Sequence, residues 1–205
     1  MKFKIDEFVC DVLIEMGHDS IPLVPDALQS GFQDIYRIEP SVPRCSAVCD
    51  AIRIEMECQP SATRVMLYGG PALAAMSKAC EKSQNKLVAV KLSNNKADYV
   101  PDAHHQNYLG LEGEMQVIRR WFHDNILHPI VIVSDIVASH GYWPVYKIID
   151  AMLEICPQYY FQILDDGLRR NVLVAVPPAW FHAYAAGGTI PKSANHGPTA
   201  LSGQD

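Results

Sequence analysis

Three side chains carry the clearest chemical signal in this sequence. Cys45, in Pro43-Arg44-Cys45-Ser46, heads an apolar-periodic run that ends near Cys58. His104 and His105 follow further along, in Ala103-His104-His105-Gln106. A thiol at a helix N-terminus sits at the positive end of the helix dipole among unpaired N–H groups, which favours the thiolate. A histidine on a facing strand could take the thiol proton and hand it to a leaving amine. The chemistry this predicts is attack of the Cys45 sulfur on an amide or peptide carbonyl. Backbone N–H groups at the start of the helix would hold the oxyanion. Of His104 and His105 only one could face the thiol, because adjacent strand residues face opposite sides. The plainer alternative is a packing role for Cys45, as for most small buried thiols.

These side chains need elements to position them. Ile5, Phe8, Val9, Val12, Leu13 and Met16 share one helical face, so a helix is expected over 5–16, stopped by Gly17. Pro22, Pro25, Pro40 and Pro43 mark 18–43 as a wrapping segment, with a short strand or turn near Asp34–Ile38. The second helix runs from Ser46 to Cys58 and Pro60 ends it. A strand over Thr63–Tyr68, a helix over Ala72–Lys82 and a strand over Lys86–Leu92 follow. His105–Leu111 and Met115–Ile118 are expected as a strand pair turning at Glu112-Gly113-Glu114. Ile130–Val137 is β-branched almost throughout, as a buried central strand should be. A helix over Trp143–Ile155 precedes strands over Tyr159–Leu164 and Asn171–Val176, which flank the turn Asp165-Asp166-Gly167. The expected fold class is α+β, a mixed and largely antiparallel sheet packed by three to four helices. One domain is expected over 1–187, with 1–43 as its wrapping helix and proline-rich segment. The Gly-, Pro- and Ser-rich stretch 188–205 is expected to be a flexible tail.

In this order, Cys45-Ser-Ala-Val-Cys-Asp-Ala-Ile, Arg64-Val-Met-Leu-Tyr-Gly-Gly and His105-Gln-Asn-Tyr-Leu-Gly-Leu-Glu-Gly resemble the papain-like superfamily, especially its transglutaminase-like branch. The resemblance covers roughly residues 43–120. It implies Cys45 as nucleophile and His105 or His104 as base. The third member, on the strand after Gly113, falls to Gln116, since an amide can orient a histidine. No Asp stands there, and Asp124 or Asp135 are the acidic alternatives. The implied function is a thiol hydrolase or acyltransferase acting on amide or peptide bonds, or a deamidase. The alternative is a non-catalytic interaction module, such as an adaptor, an immunity-type protein or a degenerate member of the same fold.

Composition narrows the partners. The chain has 205 residues and a formal net charge of −6, so no nucleic-acid footprint is expected. Arg119-Arg120-Trp121 could stack on a base, but a surface pair suits the acidic balance better. A protein or peptide substrate or partner is expected, and the oligomeric state stays open. No apolar run reaches membrane-spanning length, and Met1–Asp6 is charged, so neither a membrane span nor a secretory leader is expected. Six scattered cysteines then suggest a reduced, cytoplasmic protein. No motif demands a cofactor. His104, His105, His123 and His128 cluster in sequence, but adjacent strand histidines point apart, so no metal is expected. Ser134, Asp135 and His140 follow a buried strand and could line a pocket at its carboxyl end, or form only a polar strand ending.

Overall fold

Val12-Leu-Ile-Glu-Met16 is buried along its whole length, which suits a central strand covered on both faces. It is β1 of the computed structural model, which describes residues 10–17, 27–28, 30–39, 49–50, 52–54, 57, 63–69, 71–94, 110–136, 143–165, 171–178 and 180. The other strands are β2 (Asp34–Glu39), β3 (Arg64–Gly69), β4 (Val88–Ser93), β5 (Ile130–Ser134), β6 (Tyr160–Asp165) and β7 (Asn171–Val176). Helices α1 (Ala72–Lys82), α2 (Leu111–Phe122) and α3 (Val145–Leu153) connect β3 to β4, β4 to β5 and β5 to β6.

The strands form one seven-stranded sheet in the order β3-β2-β1-β4-β5-β7-β6. β3, β2, β1, β4 and β5 are parallel, and only β7 runs against its neighbours. The chain steps outward from β1 to β3, returns through α1 to β4 on the other side of β1, and then moves away in the opposite direction. The reversal lies between β1 and β4, and in doubly wound sheets ligands bind in the crevice beyond the strand ends at such a switch point. Strand alternation splits the core in two. Val12, Ile14, Val90 and Val133 face the layer of α1, α2 and α3. Leu13, Ile35, Ala89, Ile132 and Val174 face the opposite layer with Phe32 and Trp180.

The amino ends of the strands are stitched by charge. Asp34 is buried and accepts from Arg64 Nε at 2.7 Å and Lys86 Nζ at 2.8 Å. These charge-assisted bonds tie β2 to β3 and to the segment entering β4.

The fold corrects the expected α+β class. The sheet is largely parallel because helices return the chain between most strands, a pattern the hairpin reading of 105–118 concealed. Leu111, Met115, Ile118 and Phe122 are buried at helical spacing, so Glu112-Gly113-Glu114 lies inside α2 instead of turning a hairpin. The helix expected over 5–16 is likewise corrected: 12–16 is the central strand, and 5–9 lie outside the described residues. The β3, α1, β4, β5, α3, β6 and β7 expectations agree with the structure to within a few residues. In the expected 46–58 helix, residues 49–50, 52–54 and 57 are helical and the rest lie outside the described residues. The expected tail, 188–205, also lies outside them.

Candidate functional site

The site grows from the first residue past β1. The β1–β2 register sets Met16 beside Ile38, so Gly17 comes level with Glu39. Gly17 N donates to the Ile38 carbonyl at 2.6 Å. A Cβ at position 17 would collide with the Glu39 carboxylate and come 2.8 Å from the Ile38 oxygen. Only glycine permits this approach, and it leaves bare backbone at the carboxyl end of the central strand. Glu39 ends β2 as a buried carboxylate.

Behind this pair lies a ladder of buried charge. Glu15 stands opposite both Arg37 of β2 and Lys91 of β4. Arg37 Nη1 is 2.8 Å from one Glu15 oxygen, and Lys91 Nζ is 3.4 Å from the other. Arg37 Nη2 also lies 3.6 Å from Glu39. All four side chains are buried, and their charges cancel as two carboxylates against two cations. Such charges persist in a core only when paired. Leu13 and Glu15 lie on the same face of β1, so the ladder caps the second core layer at the strands' carboxyl ends.

The β4–β5 side is fixed by one amide. Asn94, buried just past β4, accepts from Trp143 N at 2.8 Å and donates Nδ2 to the Trp143 carbonyl at 2.9 Å. Nδ2 also lies 3.4 Å from the Asp135 carbonyl, and Asn94 N donates to the Ser134 carbonyl at 3.0 Å. Ser134 Oγ donates to the Leu92 carbonyl at 3.3 Å. Asp135 takes a left-handed φ of 56°, uncommon outside glycine and a local strain at the strand end. Asn94 thus joins the ends of β4 and β5 to the segment that starts α3.

The residues singled out from the sequence fare differently. Cys45, His104, His105 and His140 lie outside the described residues. Gln116 is on the exposed face of α2, not on a strand. Ser134 and Asp135 do stand at a carboxyl strand end, that of β5. Asp124 is fully exposed, with Oδ1 3.9 Å from His123 Nε2. His123 Nδ1 lies 3.0 Å from the Glu154 carbonyl. Among the described residues no group of three His, Cys, Asp or Glu could hold a metal. Burial pushes the Cys80 thiol up to about 12, and it raises Cys10 further and Cys156 as well, so these three are core thiols and not nucleophiles. Cys49, in the expected second helix, is exposed. Arg119 pairs with Glu154 at 2.6 Å and Arg120 lies over the Trp121 ring at 5.7 Å, as suits a surface pair. No helix among the described residues is long and apolar enough to cross a membrane.

Glu15, Gly17, Glu39 and Asn94 were all missed in the sequence. The signal was present: an apolar run ends in Glu15-Met16-Gly17, and a second strand ends in an acid about 20 residues further on, as at a nucleotide crevice. Taking Gly17 as a helix stop hid it.

No family model matches the sequence, and no curated protein does. Among solved structures, the chain is similar to the methyltransferase domain of bacterial CtHen1-C, with a TM-score of 0.51 and 14% identity over 82% of this chain and 90% of that one. The bacterial CtHen1-CN methyltransferase domain aligns over the same shares at 14% identity, with a TM-score of 0.50. These findings overturn the papain-like and transglutaminase-like resemblance, and with it the cysteine-hydrolase function; they lend the non-catalytic alternative no support. The parallel, doubly wound sheet leaves no place for a hydrolase built on a largely antiparallel one. What the likeness establishes is the fold, the seven-stranded α/β sheet shared with methyltransferase domains.

Proposed function

We propose that this chain is an S-adenosylmethionine-dependent methyltransferase. The observation that carries it is the contact of Gly17 with Glu39 at the carboxyl end of β1 in a methyltransferase-type sheet. The donor set fits this cofactor in two ways. The bare Gly17 backbone admits a ligand close to the strand end, and a carboxylate such as Glu39 accepts the paired hydroxyls of a ribose. The following residues, His18-Asp19-Ser20, add no second glycine, so a pyrophosphate cradle is lacking. A nucleoside without phosphates suits the crevice better than a dinucleotide does.

When bound, S-adenosylmethionine supplies an electrophilic methyl group on a sulfonium sulfur. Gly17 gives the ligand access to backbone, and Glu39 orients its sugar. Glu15, Arg37 and Lys91 hold Glu39 in a charge-balanced, dry setting where its hydrogen bonds count for more than in water. Asn94 keeps the ends of β4 and β5 and the start of α3 in one arrangement, so an acceptor and a donor meet in fixed geometry. Methyl transfer gains its rate mainly from such positioning. The free, buried thiols Cys10, Cys80 and Cys156 support a reducing, cytoplasmic setting.

Isothermal titration with S-adenosylhomocysteine tests the proposal. The unaltered chain should bind it. Gly17→Ala should lose binding, because the new methyl displaces Glu39. Glu39→Gln should weaken binding about tenfold, the cost of exchanging charged for neutral acceptors. A folded chain that binds neither S-adenosylhomocysteine nor S-adenosylmethionine would refute it.

A further inference from the structure

A groove of about 240 Å³ runs between α2 and α3. It starts at Trp143 and Glu112, on the same side of the sheet as the strand carboxyl ends, and descends to Arg119 and Glu154. Its volume falls below the roughly 300–1,000 Å³ of small-molecule sites, so it suits one long side chain and not a whole metabolite. Trp143 forms the aromatic wall and the buried Met115 contributes apolar surface. Asn94 grips the Trp143 backbone on both sides, so this wall is fixed in place.

The groove already holds a cation. Lys147 Nζ sits 4.1 Å from the Trp143 ring centroid, on its electron-rich face. Lys147 is itself exposed and ion-pairs with no carboxylate among the described residues, so it can lift away at small cost. Two carboxylates line the groove beside it, Glu112 and Asp150, both exposed and neither with an ion-pair partner among the described residues. The remaining charges, Arg119 and Glu154, neutralise one another at 2.6 Å. The groove therefore presents an aromatic face and two unspent negative charges, with an internal ammonium as stand-in.

We propose that the α2–α3 groove docks a lysine or arginine side chain from a basic segment of a protein partner. The incoming cation replaces Lys147 on Trp143 and is flanked by Glu112 and Asp150. The chain's net charge of −6 draws such a segment in. Docking here is independent of any cofactor, so its failure would leave the methyltransferase proposal standing.

The test is calorimetric titration of the full chain at low ionic strength with a short peptide of alternating lysine and glycine, against the same peptide carrying glutamate. The lysine peptide should bind and the glutamate peptide should not. Binding should weaken as salt is raised. Glu112→Gln with Asp150→Asn should weaken it about tenfold, and Lys147→Ala should tighten it about threefold by freeing the ring. Circular dichroism of each variant checks that the fold is kept, and all three substitutions are on exposed helix positions. Absence of lysine-peptide binding would overturn the proposal. So would binding unaffected by the carboxylate substitutions, or preference for the glutamate peptide or for a short RNA.

Discussion

Gly17 shows how much one residue can decide. Its hydrogen atom stands where any side chain would strike Glu39, so the position links residue type directly to backbone geometry. The cysteines make the opposite case. The sequence offered thiol chemistry, and the described thiols of the core are held neutral by burial. At pH 8 iodoacetamide should modify Cys49 rapidly and spare Cys10 and Cys80 in the native protein, as peptide mapping would read. Stability should respond as well. The Cys80 thiol ionises near its ordinary 9.0 when unfolded and only at about 12 when folded. Its contribution is intact below pH 9 and is lost as pH rises from 9 towards 12, by about 1.4 kcal/mol per pH unit. Cys10 adds in the same direction. Urea titrations at pH 8, 9 and 10 would check the sign; stability that rises with pH over this range would contradict it.

Elements depend on single latches where their own propensity is weak. α3 has nine residues, no acidic residue in its first turn and no side-chain cap. Its start is held from outside, by Asn94 on the Trp143 backbone. Asn94→Ala would leave a buried N–H and a buried carbonyl unpaired and should cost about 2–4 kcal/mol. Hydrogen exchange should show Trp143 and the first turn of α3 losing protection before the sheet does. α2 needs no such latch, because Glu112 and Glu114 at its start and Arg119 and Arg120 at its end match the helix dipole. That same charge pattern was legible in the sequence. It was overridden by Gly113, which resembles a hairpin glycine until the burial of Leu111, Met115, Ile118 and Phe122 on one stripe is known.

At the scale of the molecule, the sheet is the core. Ile132 in β5 is fully buried between neighbours on both sides, and Ile132→Ala should destabilise the fold by about 3–4 kcal/mol. In a chain of this size that lowers the melting temperature by ~10 °C, measurable by calorimetry. The site lies along this core's carboxyl edge. Glu15, Arg37 and Lys91 are adjacent only because β2, β1 and β4 are neighbours, although they are far apart along the chain. No local pattern announces such a ladder, since each of the three looks like an ordinary charge on a strand.

The sequence alone determined the apolar runs, most strand positions from β3 onward and the helices α1 and α3, because periodicity and turn residues act over a few neighbours. It also carried the acidic balance and the burial of Cys10, Cys80 and Cys156. Strand order, strand direction and the partners of Gly17, Glu39 and Asn94 were decided only in three dimensions. A continuous apolar run fits a buried helix or a parallel strand equally well over 12–16, and only pairing with 34–38 and 88–91 selects the strand. Once that pairing is set, a glycine that would stop a helix becomes the point where β1 meets Ile38 and Glu39 of β2 too closely for any side chain.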